Sequence, residues 1–496
     1  MYKKNLLIFL ILLAGFILNV VSVQIVSSSF QDLQGALGAS VEQISYVMSA
    51  SLIAEVIIIP FSGWLARLMS TRVLFLISIS GFVLSSIGCA LSTNFFMMII
   101  CRGLQGFFGG AMLPIMTSSI YILFDKKKIP FILSIAATFG VSSIALGPIL
   151  GGFLTEYLDW RWMFLYNIPV GIIIFLLGYF FVDLSDKEKS LINKIDYRGI
   201  IFLAIALISL LIFIEEGQKK DWFHSNFILT TFGIFFICFI FFFHRELTTK
   251  YPVIDLSIFL NRNFFIGCIN VVVFAITLYV PIFLLPIFLG QVKNMSPLNI
   301  GLIISTMGVA WMLSGPFVGK LLKVIGGRLV VVIGAIFIGI GTYAQTTITA
   351  DFTINELFIS QVLKGVGAQF LWIGNQYLSL GSISSSAIYN AAAMFNLVLR
   401  LAAAISISLA SSLLIKWKTE FLTELIETKT YSNINKTLEF NRLYLGNNSD
   451  LIFFNYIERE SLIMALNKIS YVSMWTVSIP LILMFYVKTK KSKVVY

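Results

Sequence analysis

Four ionisable side chains interrupt the apolar runs of this 496-residue chain: Glu55, Arg102, Lys364 and Arg400. A charge at the centre of a bilayer costs about 3 kcal/mol even on lenient insertion scales, so such residues pair or face a water-filled path. Glu55 lies about eleven residues into its apolar run, which at about 1.5 Å per residue is close to mid-membrane. A glutamate at that depth is a candidate for binding and releasing a proton, with a static ion pair or a polar helix contact as the alternative. Glu55 is also the acid within the spans that is available to Arg102, so the two are expected to form the coupling pair.

Other polar residues follow helical spacing. Gln361 and Lys364, and then Asn375 and Gln376, lie on one run; Asn396 and Arg400 form an i,i+4 pair on the next. They either line a cavity or bond between helices. Ala136, Gly140, Ser143, Gly147 and Gly151 recur at steps of four, three, four and four, which is one helical face, and Gly152 follows. Pro148 removes a backbone donor within that face. The functional reading is a bendable helix between two moving bodies; the alternative is tight packing alone.

No catalytic constellation is present. There is no Walker A loop, no metal-ligand spacing, and no serine nucleophile with a nearby histidine and acid. Cys89, Cys101, Cys238 and Cys268 lie singly in apolar segments, and His224 and His244 flank one run. These features point away from an enzyme, a metal site or a cofactor. They leave a secondary, ion-coupled mechanism.

The elements that position these residues are membrane helices. Hydrophobic residues make up 58% of the chain and charged residues 12%, and the mean hydropathy is +0.92. That composition belongs to a polytopic membrane protein. The net charge of +11 sits in short breaks between apolar runs, as topology requires, and not in a nucleic-acid-binding face. Runs of about 20 apolar residues give about 14 spans, from 5–29 to 467–487. With the N-terminus inside, 21 lysines and arginines fall in inner breaks and 4 in the short outer ones, so both termini are expected in the cytoplasm.

Weak repetition organises the spans. Gly63-Trp-Leu-Ala-Arg67 closes the second and Gly319-Lys-Leu-Leu-Lys323 the tenth, while Arg102-Gly-Leu-Gln-Gly106 in the fourth parallels Lys364-Gly-Val-Gly-Ala368 in the twelfth. The expected architecture is all-α: a six-helix bundle over 1–185, two additional helices over 186–262, and a second six-helix bundle over 263–496. The long outer segment, about 416–466, mixes charged and apolar residues and reads as amphipathic helices at the outer interface, or as a loop.

With these motifs in view, the chain resembles the 14-helix drug:proton antiporters of the major facilitator superfamily, the EmrB/QacA type. Gly63 to Arg67, with Arg72 beyond, is similar to the loop motif between helices two and three. Arg102-x-x-Gln105-Gly106 resembles the fourth-helix motif, and Gly140 with Gly147-Pro148-x-x-Gly151-Gly152 the antiporter motif. Trp160-Arg161-Trp162-x-Phe164-x-x-Asn167-x-Pro169-x-Gly171 looks like the signature that follows, and Asn396-x-x-x-Arg400 extends the likeness toward the C-terminus. The family's first-helix Asp-x-Thr-Ile-Val-Asn is here Asn19-Val-Val-Ser-Val-Gln24, so the acid associated with proton coupling is absent and Asn19 and Gln24 stand as cavity candidates. Ser70 replaces the loop glycine, Arg67 stands where many members have aspartate, and Ala402 to Ala404 replace a glycine-rich run.

The resemblance implies proton-coupled efflux of amphipathic compounds across a bacterial inner membrane. On its EmrB side it implies a periplasmic adaptor leading to an outer-membrane channel. Three cations against one acid in the spans disfavour dicationic drugs and favour neutral or weakly acidic hydrophobic substrates. Export of an endogenous siderophore or lipid-like metabolite, and a non-transporting sensor or scaffold on the same fold, are the alternatives.

Overall fold

The computed structural model describes residues 2–125, 128–184, 196–217, 220–249, 256–349, 351–352, 354–383, 388–432 and 449–487. Every regular element among them is helical. The first half contains α1 (Tyr2–Gln24), α2 (Phe30–Leu37), α3 (Val41–Met69), α4 (Thr71–Ala90), α5 (Phe95–Gly110), α6 (Met112–Leu123), α7 (Ile129–Tyr157), α8 (Trp162–Leu165) and α9 (Asn167–Phe181). An appended pair follows, α10 (Tyr197–Gly217) and α11 (Asn226–Thr248). The second half contains α12 (Arg262–Ile287), α13 (Pro297–Tyr343), α14 (Ile354–Leu380), α15 (Ile388–Ser432), α16 (Ser449–Thr476) and α17 (Ser478–Leu483).

Twelve helical stretches among the described residues are long and apolar enough to cross a membrane, two of them within α13. The shorter apolar part of α3, Gln43–Ile59, and the 29-residue α7 fill the two remaining places, so each of the fourteen expected spans has a helix. α11 is nearly bare: Phe236, Phe239, Phe241 and Phe243 are exposed, the pattern of a lipid-facing surface. Phe202 of α10 stacks on Phe241 of α11, ring centroids 5.4 Å apart, and ties the pair together.

Helix ends follow local chemistry. At the start of α3 the Ser40 hydroxyl accepts from the Gln43 amide at 3.2 Å, while the Ser40 amide donates to the Gln43 side chain at 2.9 Å. Between α3 and α4 the chain reverses at Ser70, with φ 82 and ψ 150, and the Ser70 hydroxyl caps α4 by accepting from Val73 at 3.4 Å. In the second half the 47-residue α13 is broken at Gly326, with φ 79 and ψ 163. Ser70 and Gly326 each lie seven residues beyond the paired glycines Gly63 and Gly319, so the repeat extends to one backbone conformation. That conformation suits glycine almost alone. The first half holds serine there against strain, with a cap as compensation.

Two expectations change. The segment around 416–466 does not form separate interfacial helices where it is described. α15 runs unbroken for 45 residues, about 68 Å, more than twice a bilayer core, and α16 begins at Ser449 as a partner to its extension. Lys418 bonds Glu458 at 2.7 Å, and Lys468 lies over the rings of Trp417 and Phe421 at 4.7 and 5.1 Å. Pairing two charged, half-apolar faces against each other gives a projecting hairpin instead of helices on a surface. Residues 433–448 of this segment, and Lys126 and Lys127 of the basic break after α6, lie outside the described residues. The cysteines also differ from their isolated reading: Cys89 and Cys101, both free, meet across α4 and α5.

The shared turn is testable by thermal melting of the detergent-purified protein. Gly326→Ala is expected to lower the melting temperature, since a Cβ there costs about 1–3 kcal/mol. Ser70→Gly is expected to hold or raise it, because relief of strain offsets the loss of a cap. Equal effects of the two changes would show that backbone conformation does not govern these turns.

Candidate functional site

The site is assembled by the glycines of α5. A Cβ at Gly106 would strike the Ser51 backbone of α3, one at Gly109 would sit on the Asn19 amide of α1, and one at Gly110 would lie 2.8 Å from the Glu55 Cα. With no side chains there, α1, α3 and α5 close to backbone contact. Asn19 Nδ2 then donates to Glu55 Oε1 at 2.9 Å. From the second half, α15 brings Arg400 Nε to 3.1 Å from Glu55 Oε2. Both carboxylate oxygens are therefore held, and Glu55 is 1% exposed. The buried Tyr279 of α12 lies against Arg400 and closes the cluster from that side.

Glu55 thus meets Arg400 and not Arg102, which corrects the expected pair. Gly106 against Ser51 and Gly110 against Glu55 fix one register between α3 and α5, and it sets Arg102 level with Val47. Val47 and Glu55 stand eight residues apart on α3, about 12 Å of helical rise, and the Arg102 side chain reaches only as far as Ser51. The Arg102 guanidinium is satisfied where it is. It donates to the Val47 carbonyl at 2.9 Å, the Ser22 carbonyl at 3.2 Å, the Gln105 side-chain oxygen, and the Ser51 hydroxyl at 3.4 Å. Gln105 passes on to Ser86 at 2.7 Å, and Asn167 donates to Ser22 and Ser86 at 3.2 Å each. This network lies entirely within the first half.

The remaining cavity candidates do not converge on one place. Asn375 staples α14 to α12, donating to the Gly267 carbonyl at 2.9 Å and accepting from Asn270 at 3.3 Å. Asn396 turns back onto the Ala392 carbonyl of its own helix at 2.9 Å. Gln24 is buried with its side-chain oxygen unbonded, and Gln376 is half-buried. Lys364 donates to Gln345 at 2.6 Å, and Gln361 is buried one turn away.

The glycine ladder packs α7 within the first half and, at its end, against the second. Gly147 abuts Gln24, Gly151 the Ile25 backbone, and Gly152 the Pro297 backbone of α13, while Gly301 of α13 returns the fit against the Pro148 carbonyl. Gly140 faces Phe16. Glu156 Oε2 accepts from the Leu298 amide at 3.0 Å, so an acid of α7 caps the start of α13. α7 continues through Pro148 without a break. Of the loop-motif residues, Arg72 donates to the Tyr179 carbonyl and lies over that ring at 5.1 Å. The surroundings of Gly63 and the side chain of Arg67 lie outside what is described.

Several participants carry no signal in the sequence. Ser22, Ser51 and Ser86 are ordinary in apolar helices, and Tyr279 stands in an apolar run without polar neighbours. Gln345, near the end of an apolar run, is a readable signal; Asn167 stands within a signature whose pattern assigns it no role.

The family model described as Major Facilitator Superfamily matches residues 12–261. The chain is 31% identical over 464 residues to the colistin resistance protein EmrB of Acinetobacter baumannii, covering 91% of this chain and 90% of that one. It is 28% identical to the fatty acid resistance protein FarB of Neisseria gonorrhoeae, covering 77% and 75%. A solved bacterial homologue of the human lysosomal transporter Spinster superposes with a TM-score of 0.64 at 13% identity, over 99% of each chain. The chain belongs to the major facilitator superfamily: it is a multi-pass membrane transporter and not an enzyme. Within that superfamily it is of the EmrB type.

If the Arg102 network is structural, Arg102→Met leaves the buried Gln105 side-chain oxygen without its donor, at about 1–3 kcal/mol. A clear drop in melting temperature is expected, and an unchanged melt would show that water replaces the guanidinium.

Proposed function

We propose that this chain exports amphipathic, neutral or weakly acidic small molecules in exchange for protons, with Glu55 as the proton-binding group. The observation that carries this reading is the tie from Asn19 and Arg400 to the two oxygens of Glu55. In its charged form Glu55 holds α3 of the first half to α15 of the second. A proton on Glu55 removes the charge that attracts Arg400 and weakens the tie. Substrate carried in one state and the proton in the other makes exchange obligatory. Residues 1–185 and 263–496 then act as the moving bundles, 186–262 as an appended pair, and the α7–α13 glycine contact as the surface that opens and closes.

Glu55 here takes the place of the absent first-helix acid, since Asn19 points to the same carboxylate. The excess of buried cations disfavours dications, and the fatty acid resistance named for FarB supports an acidic amphipath as cargo. The EmrB relatives named as multidrug export proteins support multidrug efflux, and the family resemblance adds to this reading a bacterial inner membrane, cytoplasmic termini, and a periplasmic adaptor with an outer-membrane channel as partners. The projecting α15–α16 hairpin is a candidate surface for that adaptor.

Everted vesicles test the mechanism. Wild-type protein is expected to accumulate substrate only under a proton gradient. Glu55→Gln is expected to lose gradient dependence while still exchanging substrate down its own gradient. Coupling retained in Glu55→Gln, or equal wild-type transport with and without the gradient, would remove Glu55 or proton exchange, respectively.

A further inference from the structure

The four charges of the spans are compensated unequally. Glu55 and Arg400 neutralise each other, and four oxygen acceptors surround Arg102. Lys364, at the repeated position in the second half, is 1% exposed and has one bonded acceptor, Gln345 Oε1. Among the described residues no carboxylate lies within ion-pair distance of its ammonium.

Polar groups beside Lys364 also lack partners. Gln345 Nε2, Gln361 Nε2 and the Thr342 hydroxyl are buried without hydrogen-bond partners. Gln361 lies one turn before Lys364 on α14, and Thr342 one turn before Gln345 at the end of α13. The two strips face each other. Gly341 of α13 has no Cβ where the Lys364 chain passes, and Ser360 of α14 donates to the Gly341 carbonyl at 2.7 Å. One ammonium, two amide groups and a hydroxyl thus lie on facing strips, with three of their donors unbonded and Gln345 Oε1 the oxygen bonded to the ammonium. A buried cation and buried donors each carry a desolvation cost that an acceptor bearing negative charge removes together.

We propose that Lys364, Gln345, Gln361 and Thr342 form an anion subsite for the carboxylate head of an amphipathic substrate, the apolar tail lying among the neighbouring helices. This assignment rests on the exporter reading and names its substrate class. It also separates two tasks. Arg400 is engaged by the acid that takes the proton, so the substrate head is received by a different cation in the second half.

The test is equilibrium binding to the full-length protein in nanodiscs without any gradient, so that it is independent of proton coupling. Decanoate, decanol and decylamine share one tail and differ in the head; acetate and chloride supply the charge without the tail. Decanoate is expected to bind more tightly than decanol, and decylamine most weakly. Lys364→Met is expected to weaken decanoate by about tenfold or more, the loss of one charge-assisted bond, while decanol binding is unchanged. Gln361→Leu is expected to weaken decanoate less. The Lys364→Met protein is expected to melt no lower than wild type, which separates loss of a site from loss of fold. Wild-type decanoate affinity in Lys364→Met, or equal binding of decanoate and decanol, overturns the subsite. Lys364-dependent binding of acetate or chloride as tight as that of decanoate would overturn the assignment to substrate and leave a free small anion as the ligand. Failure of gradient-driven transport with this binding intact would count against the exporter reading alone.

Discussion

The tie between Glu55 and Arg400 is the constraint on which the rest of the arrangement depends. It joins two halves that otherwise meet through small-residue faces with little directional chemistry. Removing one partner of a buried pair leaves an uncompensated charge, at about 3–5 kcal/mol, so the contact of α3 with α15 is sensitive to the protonation of a single carboxylate. The glycines of α5 make the tie possible. They admit α1 and α3 to backbone distance, and Asn19 then fixes one oxygen of Glu55 while leaving the other for Arg400. An asparagine in the first helix holds the acid as a neutral donor.

The repeat between the halves is preserved in backbone and altered in chemistry. Ser70 and Gly326 share a conformation that suits glycine, so the turn is fixed by the path of the chain even where the residue is serine. Arg102 and Lys364 occupy matching places with opposite surroundings. The first is enclosed by carbonyls and hydroxyls and stabilises its own half. The second has one bonded acceptor and unbonded donors beside it.

Much of the architecture is legible from residue order. Length and spacing of apolar runs determine helices across a membrane, and glycine at steps of three and four marks the faces where helices touch. The four buried charges are identifiable too, because an ionisable residue inside an apolar run must find a partner or line a polar path. The projecting hairpin is less legible, since α15 passes from apolar to mixed composition without a break in helical propensity.

What the sequence could not determine was which charges meet. Arg102 and Glu55 look like partners by depth, but helix register sets Arg102 level with Val47, about 12 Å of helical rise from Glu55, and its guanidinium ends at Ser51; that register is fixed by which glycine faces which backbone. Arg400 lies 345 residues from Glu55 in the chain and adjacent in space. The sequence by itself determined the class of element, the number of spans and the residues able to carry charge, because these follow from local hydrophobicity and spacing. Only the tertiary structure decided the pairing, because an ion pair depends on distances of a few ångströms between helices whose relative placement no local pattern encodes.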